Sequence, residues 1–178
     1  MLNSGVPGVE RVESRDLDAV LPALIDILLD CVDGGASVSF MAPLPRDKAQ
    51  AFWRGVLESM AHGERIVLVA RDAVGSISGT VQVILAQPEN QPHRGDVAKM
   101  LVHRRARRQG LGEALMRAAE LQARRAGKTL LVLDTASDSA ERLYARAGWT
   151  ECGRIPGYAL LPNGEPCATT YFYKQLAA

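Results

Sequence analysis

Three cysteines, three histidines, a net charge of +1 and no apolar run as long as a membrane span are the scarcities that first constrain this chain. Cys31, Cys152 and Cys167 are odd in number and show no C-x-x-C spacing, which excludes a disulfide framework and a zinc ribbon and suits reduced thiols in a cytoplasm. His62, His93 and His103 are dispersed, without a partner at ligand spacing, so no metal is expected. Residues 1–12 carry Pro7, Glu10 and Arg11 and lack a continuous apolar leader core, so the expectation is a soluble, cytoplasmic protein with no membrane partner. A near-neutral total charge excludes a protein that coats nucleic acid through global basicity. No G-x-S-x-G elbow occurs, and no base and orienting group can be identified for a cysteine nucleophile.

The chain does have ample material for a core. With 178 residues at 47% hydrophobic composition, a single domain over 1–178 is expected. The spacing predicts a strand over 9–14, a helix that Asp16 or Asp18 can cap and that ends before Gly34-Gly35, and a second helix over 46–62. Residues 34–40 form a small-residue loop that can serve as a connector or touch a substrate. Runs 65–71 and 78–85 read as a hairpin, and 96–102 reads as a central strand whose two faces, Val97/Leu101 and Ala98/Met100/Val102, are apolar apart from Lys99. An amphipathic helix ending at Gly127 and a strand over 129–134 follow, and the crossover makes the two strands parallel. Asp138 is expected to cap a short helix with Glu141 in its first turn, before strands over 149–155 and 169–173 flank the turn Pro162-Asn163-Gly164.

Between the central strand and the amphipathic helix lies Arg107-Arg108-Gln109-Gly110-Leu111-Gly112. Glycines at a helix start with clustered arginines describe a socket for a phosphate-bearing ligand, because the first helical N–H groups lack partners and favour an anion. A tight turn without a ligand, or a solvated basic face, stays open on these residues alone. Leu115 occupies the position where a dinucleotide fingerprint requires glycine or alanine, which removes a Rossmann site. Gly127-Lys128-Thr129 lacks the first glycine of a P-loop, since Gln122 stands there, and it runs from helix to strand.

The pattern resembles the GNAT superfamily of acetyl-CoA-dependent N-acetyltransferases, whose signature Arg/Gln-x-x-Gly-x-Gly/Ala is met by Arg107 to Gly112. A second family element is met by Ala140, Tyr144 and Gly148-Trp149. Stretches such as Gly34 to Val38, Lys99 to Val102, Leu133 to Thr135 and Pro156 to Tyr158 look closest to tabtoxin-resistance-type acetyltransferases. The resemblance implies an α/β (α+β) fold, with a mixed, mostly antiparallel twisted sheet of six to seven strands, about four helices and a βαβ acetyl-CoA-binding core. It implies that acetyl-CoA is the co-substrate and that strands 96–102 and 129–134 splay apart to admit it. Contacts would come from the Leu101 and Val102 backbone, from Arg107, Arg108, Gln109, Gly110, Leu111, Gly112 and Glu113, and from Ser137 and Ala140. Ser137 stands where many members have asparagine.

The resemblance further implies acetyl transfer to a primary amine in a ternary complex. Tyr144 is the candidate proton donor to the departing thiolate, and Asp96 and Asp134 are alternative candidates for the base. The acceptor implied is a small molecule, an amino-acid-derived toxin or antibiotic by subgroup, with a protein N-terminus or lysine as the alternative; a homodimer is left open. A nucleic-acid binder and a non-catalytic acyl-CoA sensor are the rival classes, and Tyr144 favours an enzyme over both.

Overall fold

The computed structural model describes residues 2–3 and 8–176. The leader-free reading of residues 1–12 therefore falls partly outside the described residues. Strands β1 (Leu2–Asn3), β2 (Val9–Arg11), β3 (Arg65–Arg71), β4 (Ile77–Ile84), β5 (Arg94–Val102), β6 (Leu130–Thr135), β7 (Thr150–Leu160) and β8 (Pro166–Gln175) form one sheet. Their order is β1-β2-β3-β4-β5-β6-β8-β7, and every pair is antiparallel except β5 with β6. The expected mixed, mostly antiparallel sheet is present, with the two-residue β1 as an added edge.

Helices α1 (Leu17–Asp33) and α2 (Arg46–Ala61) cover one face, and α3 (Leu111–Arg125) with α4 (Asp138–Arg146) covers the other. Strand β3 shows why its sequence is apolar at every position between Arg65 and Arg71. Ile66, Leu68 and Ala70 pack with Leu115, Met116 and Ala119 of α3, whereas Val67 and Val69 pack with Leu24, Leu28 and Trp53 of α1 and α2. A strand buried on both faces must lose its polar alternation.

Strand β5 departs from simple alternation. Thr80 pairs with Leu101 and Gln82 with Ala98, so two steps on β4 face three on β5, and the extra residue is a bulge at which Lys99 takes φ +50°. Val97 consequently packs with the α3 layer and Leu101 with the α1/α2 layer. The expectation that Val97 and Leu101 share a face is corrected by this inserted residue.

The same bulge opens the sheet. Strands β5 and β6 pair only at Arg94/Leu130, Gly95/Leu131 and Asp96/Val132, after which β6 continues on β8 as far as Thr135/Thr170. At the base of the fork a Cβ on Gly95 would stand 3.1 Å from Leu131 Cδ2, so a side chain there would wedge the strands apart too early. Beyond Asp96, β5 turns an unpaired edge toward a cleft.

Several boundaries differ from expectation, β2 ending at Arg11 and β8 running over Pro166–Gln175 among them, and two differences border the cleft. Strand β7 runs to Leu160, past the expected 155, because β8 supports it through two register shifts with Gly157 at φ +63°. Helix α4 is capped by Ser137, whose Oγ accepts from the Ala140 N–H, and not by Asp138. Glu141 is likewise no capping partner; its carboxylate accepts from Thr170 Oγ1 at 2.6 Å and ties α4 to β8.

Candidate active site

The fork between β5 and β6 holds a cleft of about 1160 Å³. Its floor is Val97 to Val102, one wall is the start of α3, and the other is the segment from Asp134 to Tyr144. Loop 34–41 forms a roof. Ser37 Oγ donates to the Leu160 carbonyl at 3.1 Å and the Ala42 N–H to the Pro162 carbonyl at 3.0 Å, so the loop is fastened to the β7–β8 hairpin across the cleft. The loop therefore both connects α1 to α2 and lines the cleft.

At the α3 end the backbone is shaped for an anion. Arg108 (φ +61°) and Gly110 (φ +80°) are left-handed, and Gly110 is the N-cap, offering no side chain to the first helical N–H groups. The N–H groups of the first turn, over Leu111, Gly112 and Glu113, are thus uncapped beside the cleft. The two glycines serve different needs. Gly110 supplies the left-handed turn, whereas a Cβ on Gly112 would meet Leu143 Cδ2 at 3.1 Å, so Gly112 lets α3 and α4 approach.

The arginine cluster divides in two. Arg104 donates to Asp30 and Asp33, and Arg105 donates to Ser78 Oγ at 2.9 Å with Asp72 nearby. Burial alone would raise the Asp30 carboxyl, but the Arg104 backbone N–H and guanidinium, with His103, hold it below its ordinary value. This carboxylate anchors the turn from beneath. Within this cluster Arg107 and Arg108 reach the cleft, Arg107 also donating to the Val102 carbonyl at 3.3 Å. Gln109 lies outside the lining, its side chain turned back to the Arg105 carbonyl.

At the other end Tyr144 is 4% exposed, with its ring edge-on to Phe172 at 5.7 Å and near Trp149 at 6.1 Å. Trp149 is itself held by Glu120, which accepts its Nε1–H at 3.0 Å and pairs with Lys174. Burial, and then the charge of Asp134, push the Tyr144 phenol above its ordinary value, so it keeps its proton. Asp134 accepts from Thr169 Oγ1 at 2.7 Å and lines the cleft, as do Ser137 and Ala140. Asp96 is elsewhere: it sits where β5 and β6 still pair, accepts from Gln87 and Arg94, and lies outside the cleft lining. The structure therefore separates the two candidate bases.

Lys99 and Tyr158, which line the cleft, and Tyr171, which bonds to Tyr158, were not among the sequence candidates. Lys99 Nζ donates to Ser39 Oγ at 3.0 Å and stands 5.7 Å from the Phe52 ring centre, and burial lowers its pKa against the raising pull of Asp134. A lone charge inside an apolar strand was its visible signal. Tyr158, half exposed, and Tyr171 share a hydroxyl–hydroxyl bond of 2.8 Å. That bond, with burial and Asp134, pushes Tyr171 up to about 12. Nothing in local spacing announces a pair formed across a hairpin bulge. Among the described residues no cluster of three or more His, Cys, Asp or Glu is arranged to hold a metal, and no helix is long and apolar enough to cross a membrane.

A parallel strand pair that forks, with an uncapped helix N-terminus across its mouth, defines a scaffold for a long phosphate-bearing ligand laid along a strand edge. Residues 63–151 match the acetyltransferase (GNAT) domain family. An uncharacterized N-acetyltransferase from the hisH-hisA intergenic region of Azospirillum brasilense is 33% identical over 128 residues, or 71% of this chain and 73% of that protein. The chain belongs to the GNAT acetyltransferase family. Solved structures share its fold: yncA from Salmonella typhimurium with acetyl-CoA has a TM-score of 0.75 at 20% identity, over 96% of this chain and 94% of that one. The ribosomal-protein-alanine N-acetyltransferase of Brucella melitensis has 0.78 at 22%, over 94% and 99%. The phosphinothricin acetyltransferase of Sinorhizobium meliloti in complex with acetyl-CoA has 0.75 at 16%, over 95% and 88%.

Proposed function

We propose that this protein is an N-acetyltransferase that moves the acetyl group of acetyl-CoA directly to a primary amine of a small molecule. The observation that carries the reading is the continuity of one cleft, from the uncapped N–H groups of α3 to Tyr144 and Asp134. Acetyl-CoA fits the donor set. The N–H groups of residues 111–113, with Arg107 and Arg108, suit its pyrophosphate, and the β5 edge around Leu101 and Val102, which pairs with no strand on the cleft side, suits its amide-bearing arm. The fastened roof over the acceptor end favours a compact acceptor over a protein terminus. The tabtoxin-resistance-type stretches, which include the roof, support an amino-acid-derived toxin or antibiotic as that acceptor.

Asp134 takes one proton from the incoming ammonium through water, leaving a neutral amine. The amine nitrogen forms a bond to the thioester carbonyl carbon, the C–S bond breaks, and Tyr144 gives its hydroxyl proton to sulfur. The new amide nitrogen sheds its surplus proton, which restores the phenol. Because burial and Asp134 disfavour a phenolate, these two transfers are concerted. Net, one proton is released with each acetylated amine. Asp96 is given no part.

The test is acetyl-CoA-dependent thiol release across a panel of amines, with mass identification of the product and calorimetry of acetyl-CoA binding. The expected result is binding together with amine-dependent release. Binding without release from any amine would instead make the protein an acyl-CoA sensor.

A further inference from the structure

Lys99 is an ammonium in the wrong place for a structural residue. It sits at the bulge that splits β5 from β6, in left-handed backbone (φ +50°), and bonds to Ser39, which is left-handed too (φ +77°). Two strained non-glycine residues, sixty positions apart, are held face to face at the cleft. Such backbone persists where the surrounding structure imposes it, and it gathers at ligand clamps.

The charge itself is unsatisfied. An ammonium has three donors, and the described residues take one, through Ser39; the Phe52 ring faces it from another side. Among the described residues no carboxylate pairs with Lys99, and Asp134 acts on it only through its field. Asp134 is also the carboxylate that acts on Tyr144, where the amine reacts in the proposed function. One end of the cleft thus presents a cation and an anion separately, each lacking a charged partner at hydrogen-bond range.

We infer that Lys99 binds the carboxylate of a zwitterionic acceptor, so that the substrate is a free α-amino acid or a close relative, with its amine toward Asp134 and Tyr144. This rests on the N-acetyltransferase reading and narrows it. Pyrophosphate is not a competing occupant for Lys99, because Arg107, Arg108 and the start of α3 already supply that end of the cleft. A protein N-terminus has no carboxylate beside its amine and gains nothing from Lys99.

The experiment pairs each amino acid with its own carboxamide and measures thiol release from both. Loss of a charge-assisted contact is worth roughly 10- to 100-fold, so native kcat/KM should favour the acid by about that factor. In Lys99→Met the preference should collapse toward unity, chiefly through the acceptor KM, and Lys99→Arg should keep most of it. A residue that merely held the bulge together would lower melting temperature and act on acid and amide alike. Equal use of acids and amides by the native enzyme, or an unchanged preference in Lys99→Met, would overturn the inference. Release from amides alone would overturn this inference and leave the acetyltransferase standing, whereas release from no amine would overturn both.

Discussion

The two ends of the cleft are built in opposite ways. At one end seven consecutive residues, Arg107 to Glu113, make a socket out of main chain, and the side chains around them mostly serve to hold the turn, as Arg104 does on Asp30 and Asp33. At the other end Ser39, Lys99, Asp134, Tyr144 and Tyr158 arrive from five separate segments, and every function proposed there belongs to a side chain. A main-chain socket constrains sequence through backbone conformation and so leaves a compact motif. A side-chain site constrains only the fold that gathers it. The first should tolerate changes of side chain and fail on changes of backbone; the second should do the reverse.

Replacing Tyr144 by phenylalanine is the strongest way to test the side-chain end. It removes one oxygen from a ring that Phe172 and Trp149 keep in place, and kcat should fall by roughly 10²- to 10⁴-fold with acetyl-CoA affinity retained by calorimetry. Because the phenol is raised, the native rate should not decline as pH passes about 10, the ordinary tyrosine value. A decline centred there would show that Tyr144 titrates normally. Asp134→Asn should lower kcat/KM for the amine by roughly 100-fold, again without loss of acetyl-CoA binding.

At the main-chain end, Gly110→Val forces a β-branched residue to φ +80°, with a strain of about 1–3 kcal/mol. If the turn relaxes to relieve it, acetyl-CoA should bind roughly 10-fold more weakly while the acceptor KM stays put; equal damage to both would erase the distinction between the ends. Ser137→Ala should cost about 1 kcal/mol of stability through the lost α4 cap, read as a lower melting temperature. Asp96→Asn should be the mildest change, within about 0.5 kcal/mol in stability and with unchanged turnover.

This asymmetry also explains what was legible in the sequence. The order of helices and strands, the parallel β5/β6 pair and the α3 socket follow from periodicity, glycines and apolar runs that are local in the chain. The Ser137 cap was missed because Ser137 and Asp138 are both good capping residues and only the backbone decides between them. Asp96 and Asp134 look alike as acidic residues on neighbouring strands, yet one lies where the strands pair and the other beyond the fork. The position of a fork depends on tertiary pairing. Lys99 was visible as a charge in an apolar run, but the bulge that aims it required the β4 register.

That bulge makes β5 two strands written on opposite phases. Val97 and Leu101, four residues apart, belong to different layers of the protein, so reading frame along this strand carries meaning much as it does in a gene. Removing the extra residue would transpose everything from Met100 to Val102, sending Leu101 toward α3 and Met100 toward α1 and α2 while closing the fork. Grafts between this strand and a straight one should therefore be spliced wholly before Ala98 or wholly after Met100, because a junction inside that interval changes which side of the sheet the rest of the strand addresses.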